Sequence, residues 1–321
     1  MPKNVKLLVT RQFPADVLDR CRRDYNCTFN PKDTNWLDEE LIVQSSGHNA
    51  IFFSSGNKFT AEVIAALPDE VKMLATFSVG HEHIDLSAAV KRNLIVVNTP
   101  DVLNEATADT AFMLLLCASR RASEADRMVR NGEWHGWTPT QLLGVGMQGK
   151  RLSILGMGGI GRQVANRARG FGMIIHYHNR NRLPEHLEQG AIYHESAEDL
   201  MKVADFLSIN CPMTPEMENF LNADRIELLP NEAIVVNTAR GGLVHDHSLI
   251  SALKSGKVFA AGLDVFDGEP GLNPEYLKLD NVFLSPHIGS ATFETRNAMG
   301  FLALDSLDAF FAGKEPANRI A

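Results

Sequence analysis

The stretch RLSILGMGGIG, residues 151–161, carries an apolar strand straight into glycines 156, 158 and 161, and the RQVANRARGFG that follows has the spacing of a helix. A lone G-x-G-x-x-G is common in ordinary turns. Between a strand and a helix it has a mechanism: Gly156 permits the tight turn, Gly158 lets the backbone approach a pyrophosphate, and Gly161 permits close packing of helix on strand. With Gly159 and Ile160 completing the loop, the segment reads as the phosphate-binding turn of a dinucleotide site.

About twenty residues further on, an NAD site normally carries an acid that bonds the ribose 2′-hydroxyl. Here the strand MIIHY runs into His178-Asn179-Arg180-Asn181-Arg182, with no carboxylate until Glu185. A 2′-phosphate would meet Arg180 and Arg182, and each charge-assisted hydrogen bond contributes ~1.5–3 kcal/mol. NADP(H) is the expected cofactor and NAD(H) stays open. The competing reading is that both arginines are simply solvated at a strand end.

Three later runs end on ionisable residues: AIVVNTAR on Arg240, AAGLDVFDGE on Glu269 and NVFLSPH on His287. Ligands of open parallel sheets sit at the carboxyl ends of strands, so these side chains are expected to converge. A cation, an acid and a proton carrier facing a dinucleotide point to hydride transfer. His287 lies between Pro286 and Ile288-Gly289-Ser290, on a constrained strand exit, and is the best placed of eleven histidines. The pair His81 and His83 lacks spaced partners for a metal, and no metal site is expected.

Upstream, the apolar runs VKLLV, AIFFS, KMLATF and LIVVN alternate with amphipathic helical patterns, which describes a parallel sheet covered on both faces. One long helix is expected from Asn104 to about Arg130, its centre TAFMLLLCA buried. From Arg151 six strand-like runs alternate with helices. Ser196 is expected to start one helix, and Asp246 to cap another that stops at Gly256. A last amphipathic helix, ATFETRNAMGFLALDSLDAFFAG, is long enough to return to the first domain. Residues 131–149, with five glycines and two tryptophans, read either as a packed connection between domains or as an arm embracing a second subunit.

At 321 residues the chain exceeds the size at which one core stops growing, so two domains are expected. A formal charge of −8 argues against a nucleic-acid partner. No apolar run approaches the ~20 residues of a membrane helix, and the N-terminal segment turns polar at Arg11, so neither membrane nor export is expected and the location reads as cytoplasmic. The four cysteines form no C-x-x-C pair and read as reduced thiols.

LGMGGIG, VVNTARGGLV, GLDVFDGEP and SPHIGSAT, in that order, resemble the D-isomer-specific 2-hydroxyacid dehydrogenases over nearly the whole chain. HNRNRLP, GEWHGW and NVFLSPHIGSATFETR are most similar to the NADPH-using glyoxylate/hydroxypyruvate reductases within that family. The resemblance implies an α/β fold of two doubly wound domains. Residues 100–289 would form a Rossmann dinucleotide-binding domain with a dimerisation arm at 131–149. Residues 1–99 plus 290–321 would form a smaller, discontinuous, flavodoxin-like substrate domain. It also implies Arg240 as substrate anchor, His287 as acid/base and Glu269 as its partner, with Val79 and Gly80 holding the substrate carboxylate and Ser55 and Trp137 near its side chain. Family cofactor contacts map onto Thr107, Gly158 to Gly161, Asn179, Arg180, Cys211, Pro212, Thr238, Asp264 and Gly289.

The chemistry of these residues agrees with those roles. Arg240 offers a planar fork that can hold a 2-oxo acid and stabilise charge on its carbonyl oxygen as hydride arrives. A carboxylate beside an imidazole favours the protonated ring, which can then donate to the forming alkoxide. The resemblance implies reduction of a small 2-oxo acid, glyoxylate or hydroxypyruvate, to the D-2-hydroxy acid by a homodimer. The alternatives are a dehydrogenase for phenylpyruvate, D-lactate or another such acid, or a dinucleotide-sensing corepressor.

Overall fold

The computed structural model describes residues 4–321, which divide into two units: 4–103 with Ala291–Ala321, and Asn104–Ser290. In the first unit the order is β1 (Lys6–Val9), α1 (Ala15–Asp24), β2 (Asn26–Phe29), α2 (Asp38–Gln44), β3 (Ala50–Phe53), α3 (Ala61–Ala66), β4 (Met73–Thr76), α4 (Leu86–Lys91) and β5 (Ile95–Val97). The strands form one parallel sheet in the order β2-β1-β3-β4-β5, the flavodoxin-like arrangement. Alternation along each strand sorts the core into two layers. Leu7, Val9, Phe52 and Ala75 pack with Val17 and Cys21 of α1, whereas Leu8, Ile51, Phe53 and Leu74 pack with Leu41, Val63, Ile64 and Ala89 of α2 to α4.

The second unit runs α5 (Asn104–Ser119), α6 (Ala122–Arg130), β6 (Arg151–Leu155), α7 (Gly159–Gly170), β7 (Ile174–His178), α8 (Glu185–Glu188), β8 (Ile192–Tyr193), α9 (Ala197–Met201), β9 (Phe206–Ile209), α10 (Ala223–Leu228), β10 (Ala233–Asn237), α11 (Asp246–Ser255), β11 (Val258–Leu263) and β12 (Val282–Leu284). Its parallel sheet has the order β12-β11-β10-β9-β6-β7-β8, a Rossmann sheet extended by one strand. Leu152, Ile154, Ile234 and Val236 face α5 and α7, while Leu207, Val235 and Leu263 face α9 to α11. The chain then returns as α12 (Phe293–Phe311), whose Ala303, Leu304 and Leu307 join the α1 layer of the first unit. Beyond it, Ile320 donates to Val96 O at 2.8 Å and Arg319 pairs antiparallel with Val97, so the chain end covers the β5 edge.

The single helix expected over 104–130 is two helices. Arg121 takes a left-handed φ of 54° between them, with its guanidinium on Glu124 at 2.7 and 2.8 Å. The apolar pattern of α5 ends at Ser119, and no residue of α6 is buried. The sheet has seven strands rather than six, because β8 is a two-residue edge strand too short to show a period. In the first unit β2 (NCTF) adds a fifth strand beside the four apolar runs; half exposed, it lacks their signature. Ser196 caps α9 through the Asp199 amide, and α11 stops at Gly256 with φ 80°. Asp246 is not a cap: it is the first residue of α11, and its carboxylate accepts from Tyr276 OH at 2.9 Å. Residues 131–143 are largely exposed, and the chain is tied back where Gln141 Nε2 donates to Met128 Sδ at 3.1 Å and Val145 donates to Ser119 O at 2.8 Å. Among the described residues no helix is long and apolar enough to cross a membrane.

Candidate functional site

The turn after β6 is shaped by contacts that exclude side chains. A Cβ on Gly156, whose φ is +90°, would lie 2.7 Å from Cys211 N, and one on Gly161 would lie 2.4 Å from Gly156 O. A Cβ on Gly158 would meet nothing within 4 Å, which leaves open space over the first turn of α7, where helix amides lack partners. Gly156 and Cys211 thus adjoin at the ends of β6 and β9, neighbouring strands where the sheet order reverses. Burial pushes the Cys211 thiol up to about 11. Nearby polar groups await a ligand: Thr238 Oγ1 and Asn210 Oδ1 are buried with no hydrogen-bond partner among the described residues. Glycine cradle, open helix end and orphaned polar atoms fit a dinucleotide. Asn179 accepts from Met157 N at 2.6 Å and so ties the end of β7 to this turn.

The arginines after β7 are not equivalent. Arg180 is exposed and makes no ion pair with any described residue. Arg182, expected to join it, is engaged: Nε and Nη2 donate to Glu188 Oε1 and Oε2 at 2.7 and 3.1 Å. Of the two arginines expected at a 2′-phosphate, Arg182 is therefore ion-paired with Glu188 and Arg180 is not.

At the ends of β10, β11 and β12, three sheet neighbours, the ionisable residues gather. His287 Nδ1 is 2.6 Å from Glu269 Oε2, and the Phe266 amide donates to Glu269 Oε1 at 2.8 Å. Burial raises the Glu269 pKa, but the hydrogen bonds from His287 and Phe266 and the charge of Arg240 outweigh it, so the carboxyl stays below its ordinary range. Arg240 reaches this neighbourhood because Gly241 packs backbone to backbone: a Cβ there would lie 1.9 Å from Phe266 C. Asn237 closes the Arg240 turn, accepting from Ala239 N at 2.9 Å and donating to Arg240 O at 2.8 Å.

His287 itself takes φ 52°, an uncommon conformation for a residue with a Cβ. Asp264 holds it there. The Asp264 carbonyl accepts from His287 N at 2.8 Å, and its carboxylate accepts from Ser285 Oγ at 2.6 Å and from the Ile288 and Gly289 amides at 2.8 Å each. Asp264 was expected among the cofactor contacts; it is fully buried, and these bonds make it the frame of the His287 turn. Thr107 lies at the same place, its Cγ2 3.3 Å from where a Cβ on Gly289 would sit. Asn237 and Ser285 were not foreseen, since nothing in an apolar strand ending in a small polar residue announces a turn built by it.

In the other unit Val79 and Gly80 follow β4. Ser78 Oγ donates to Gly80 O at 2.7 Å, so it accepts from Thr76, whose oxygen then accepts from His83 Nε2 at 3.0 Å. Asn98 Nδ2 donates to Val79 O at 2.8 Å. With these carbonyls tied back, the amides of Val79 and Gly80 have no partner among the described residues. Ser55 is exposed on the loop after β3. Trp137 is 78% exposed in the 131–149 segment, which gives it no packing role of its own.

The model of the D-isomer specific 2-hydroxyacid dehydrogenase NAD binding domain matches residues 112–289. Over 318 residues, 98% of this chain and 99% of the relative, the protein is 39% identical to the glycerate dehydrogenase of Hyphomicrobium methylovorum. It is 40% identical over 325 residues, 98% and 96% of the two chains, to the glyoxylate reductase of Thermococcus litoralis. The structure of the NADPH-dependent glyoxylate/hydroxypyruvate reductase of Sinorhizobium meliloti in complex with NADP and malonate is similar at a TM-score of 0.89, with 31% identity and 99% and 97% coverage. Motifs, fold and relatives agree: the chain belongs to the D-isomer-specific 2-hydroxyacid dehydrogenases and is an NAD(P)-dependent enzyme of that family.

Proposed function

We propose that the protein reduces a small 2-oxo acid of the glyoxylate/hydroxypyruvate class to the D-2-hydroxy acid with NADPH. The observation that carries this is the 2.6 Å contact between His287 and Glu269, beside the charge of Arg240 at the ends of three neighbouring strands. Arg240 holds the substrate carboxylate and polarises its carbonyl. When bound, the reduced nicotinamide supplies the hydride. His287, protonated and oriented by Glu269, donates the proton to the carbonyl oxygen, a step that typically contributes ~10²–10⁴-fold. Arg180 answers the 2′-phosphate, and no acid at the end of β7 answers a free 2′-hydroxyl.

The choice of a small acid is supported by relatives named for glyoxylate reduction and, in Hyphomicrobium methylovorum, for glycerate, the reduced form of hydroxypyruvate. Exposed Trp134, Trp137 and Leu143 support a role for the 131–149 arm as a dimer contact. Measuring kcat/KM for glyoxylate, hydroxypyruvate, pyruvate and phenylpyruvate with NADPH and NADH tests the reading. It expects the two small acids and NADPH to lead; a lead for phenylpyruvate or for NADH refutes it.

A further inference from the structure

We infer that Arg182, Glu188 and Tyr177 form an internal strut that positions Arg180, so that Glu188 sets NADPH preference without touching the cofactor. This rests on the NADPH reading above. Glu188 is only 5% exposed although it ends a one-turn helix, and its carboxylate is filled from within. Tyr177 OH donates to Oε1 at 2.5 Å while Arg182 grips both oxygens. These bonds, that of Arg182 first, hold the Glu188 pKa down at about 2. Tyr177, fully buried in β7, also accepts from Leu183 N at 3.1 Å.

The Arg182 guanidinium lies over Tyr193 of β8, 5.6 Å from the ring centroid, and Tyr193 OH donates to Asn179 O at 3.4 Å. The loop is therefore pinned on both sides of Arg180. Asn179 is tied to Met157 in the glycine turn and to Tyr193, while Arg182 and Leu183 are tied to the Glu188–Tyr177 pair. Arg180 stands between two fixed points with its own side chain unpaired. A flexible loop would have to be ordered at the moment of binding, and a pinned one presents its cation at no such cost.

A fluorescence titration with NADPH and NADH on wild type, Arg180→Met, Arg182→Met, Glu188→Gln and the double variant of the last two separates the roles. Arg180→Met should weaken NADPH by roughly tenfold or more, one charge-assisted hydrogen bond, with NADH changed less than about twofold. Arg182→Met and Glu188→Gln should each weaken NADPH by about three- to tenfold, lower the NADPH-to-NADH affinity ratio, and combine without added loss because they act as one unit. Tighter NADPH binding by Glu188→Gln would mean that a released Arg182 is itself a phosphate ligand, and overturns the strut. Equal losses for both cofactors in a wild-type background that prefers NADPH also overturn it, reducing the cluster to folding alone. Wild-type protein that binds the two cofactors alike overturns the NADPH reading first and the strut with it.

Discussion

Replacing Glu269 with glutamine should move the alkaline limb of kcat/KM for 2-oxo acid reduction to lower pH and cut kcat/KM on that limb by about five- to fiftyfold. The Phe266 amide needs an acceptor, so glutamine keeps its carbonyl there and turns its amide nitrogen towards His287 Nδ1. Only an unprotonated Nδ1 can accept that group. The lost attraction between ring and carboxylate is ~1 kcal/mol at 4 Å in bulk water and ~4 kcal/mol at an effective dielectric of 20. The His287 and Glu269 side chains are 48% and 31% exposed, which selects the lower half of that range. At 1.36 kcal/mol per tenfold this gives the stated loss. The sign follows from the Glu269 carboxyl being held below its ordinary range, hence anionic at neutral pH: removing the anion favours loss of the ring proton needed for reduction. Oxidation of the 2-hydroxy acid needs the deprotonated ring, so its acid limb should move the same way and the variant should oxidise better at low pH. Stopped-flow NADPH absorbance across pH, in both directions, is the assay. Limbs that stay in place while rates fall would show that Glu269 does not set the protonation of the proton carrier.

Gly241→Ala should lower kcat by about 10²-fold or more, the cost of a misplaced catalytic group, because its Cβ would strike Phe266 C at 1.9 Å and displace the segment carrying Glu269; wild-type kinetics would refute the backbone contact. Asp264→Ala leaves the Ile288 and Gly289 amides and the Ser285 hydroxyl without their acceptor, costing roughly 3 kcal/mol, or about 6–12 °C in Tm for a unit of this size; a calorimetric loss under ~1 kcal/mol would contradict it. Burial raises the Asp205 pKa, but the two-pronged grip of Arg151 and its amide more than offsets this and lowers it. Its stabilisation is therefore present above the unfolded carboxylate range near ~3.9 and lost as pH falls through the folded value. Urea unfolding of Asp205→Asn should show a deficit at pH 7 that shrinks progressively as pH falls below the unfolded carboxylate range near ~3.9; a deficit that stays constant through the acid range would refute the linkage.

Much of this architecture could be read along the chain because its signals are local. Strand-length apolar runs, glycines at fixed offsets, and Arg240, Glu269 and His287 each sitting where a strand stops need no knowledge of distant partners. The elements that escaped reading lack such signals. β2 is half exposed, β8 has two residues, and the break at Arg121 falls where two helical patterns abut.

The residue types of the site and the order of its strands follow from the sequence itself, since hydrophobic period and glycine conformation act within a few residues. How the two arginines after β7 are partnered, and which carboxylate frames the His287 turn, were decided only by the tertiary structure. Glu188 and Asp264 exert their effect through hydrogen bonds to atoms brought within 3 Å by folding, and such pairing leaves no periodic trace in the chain.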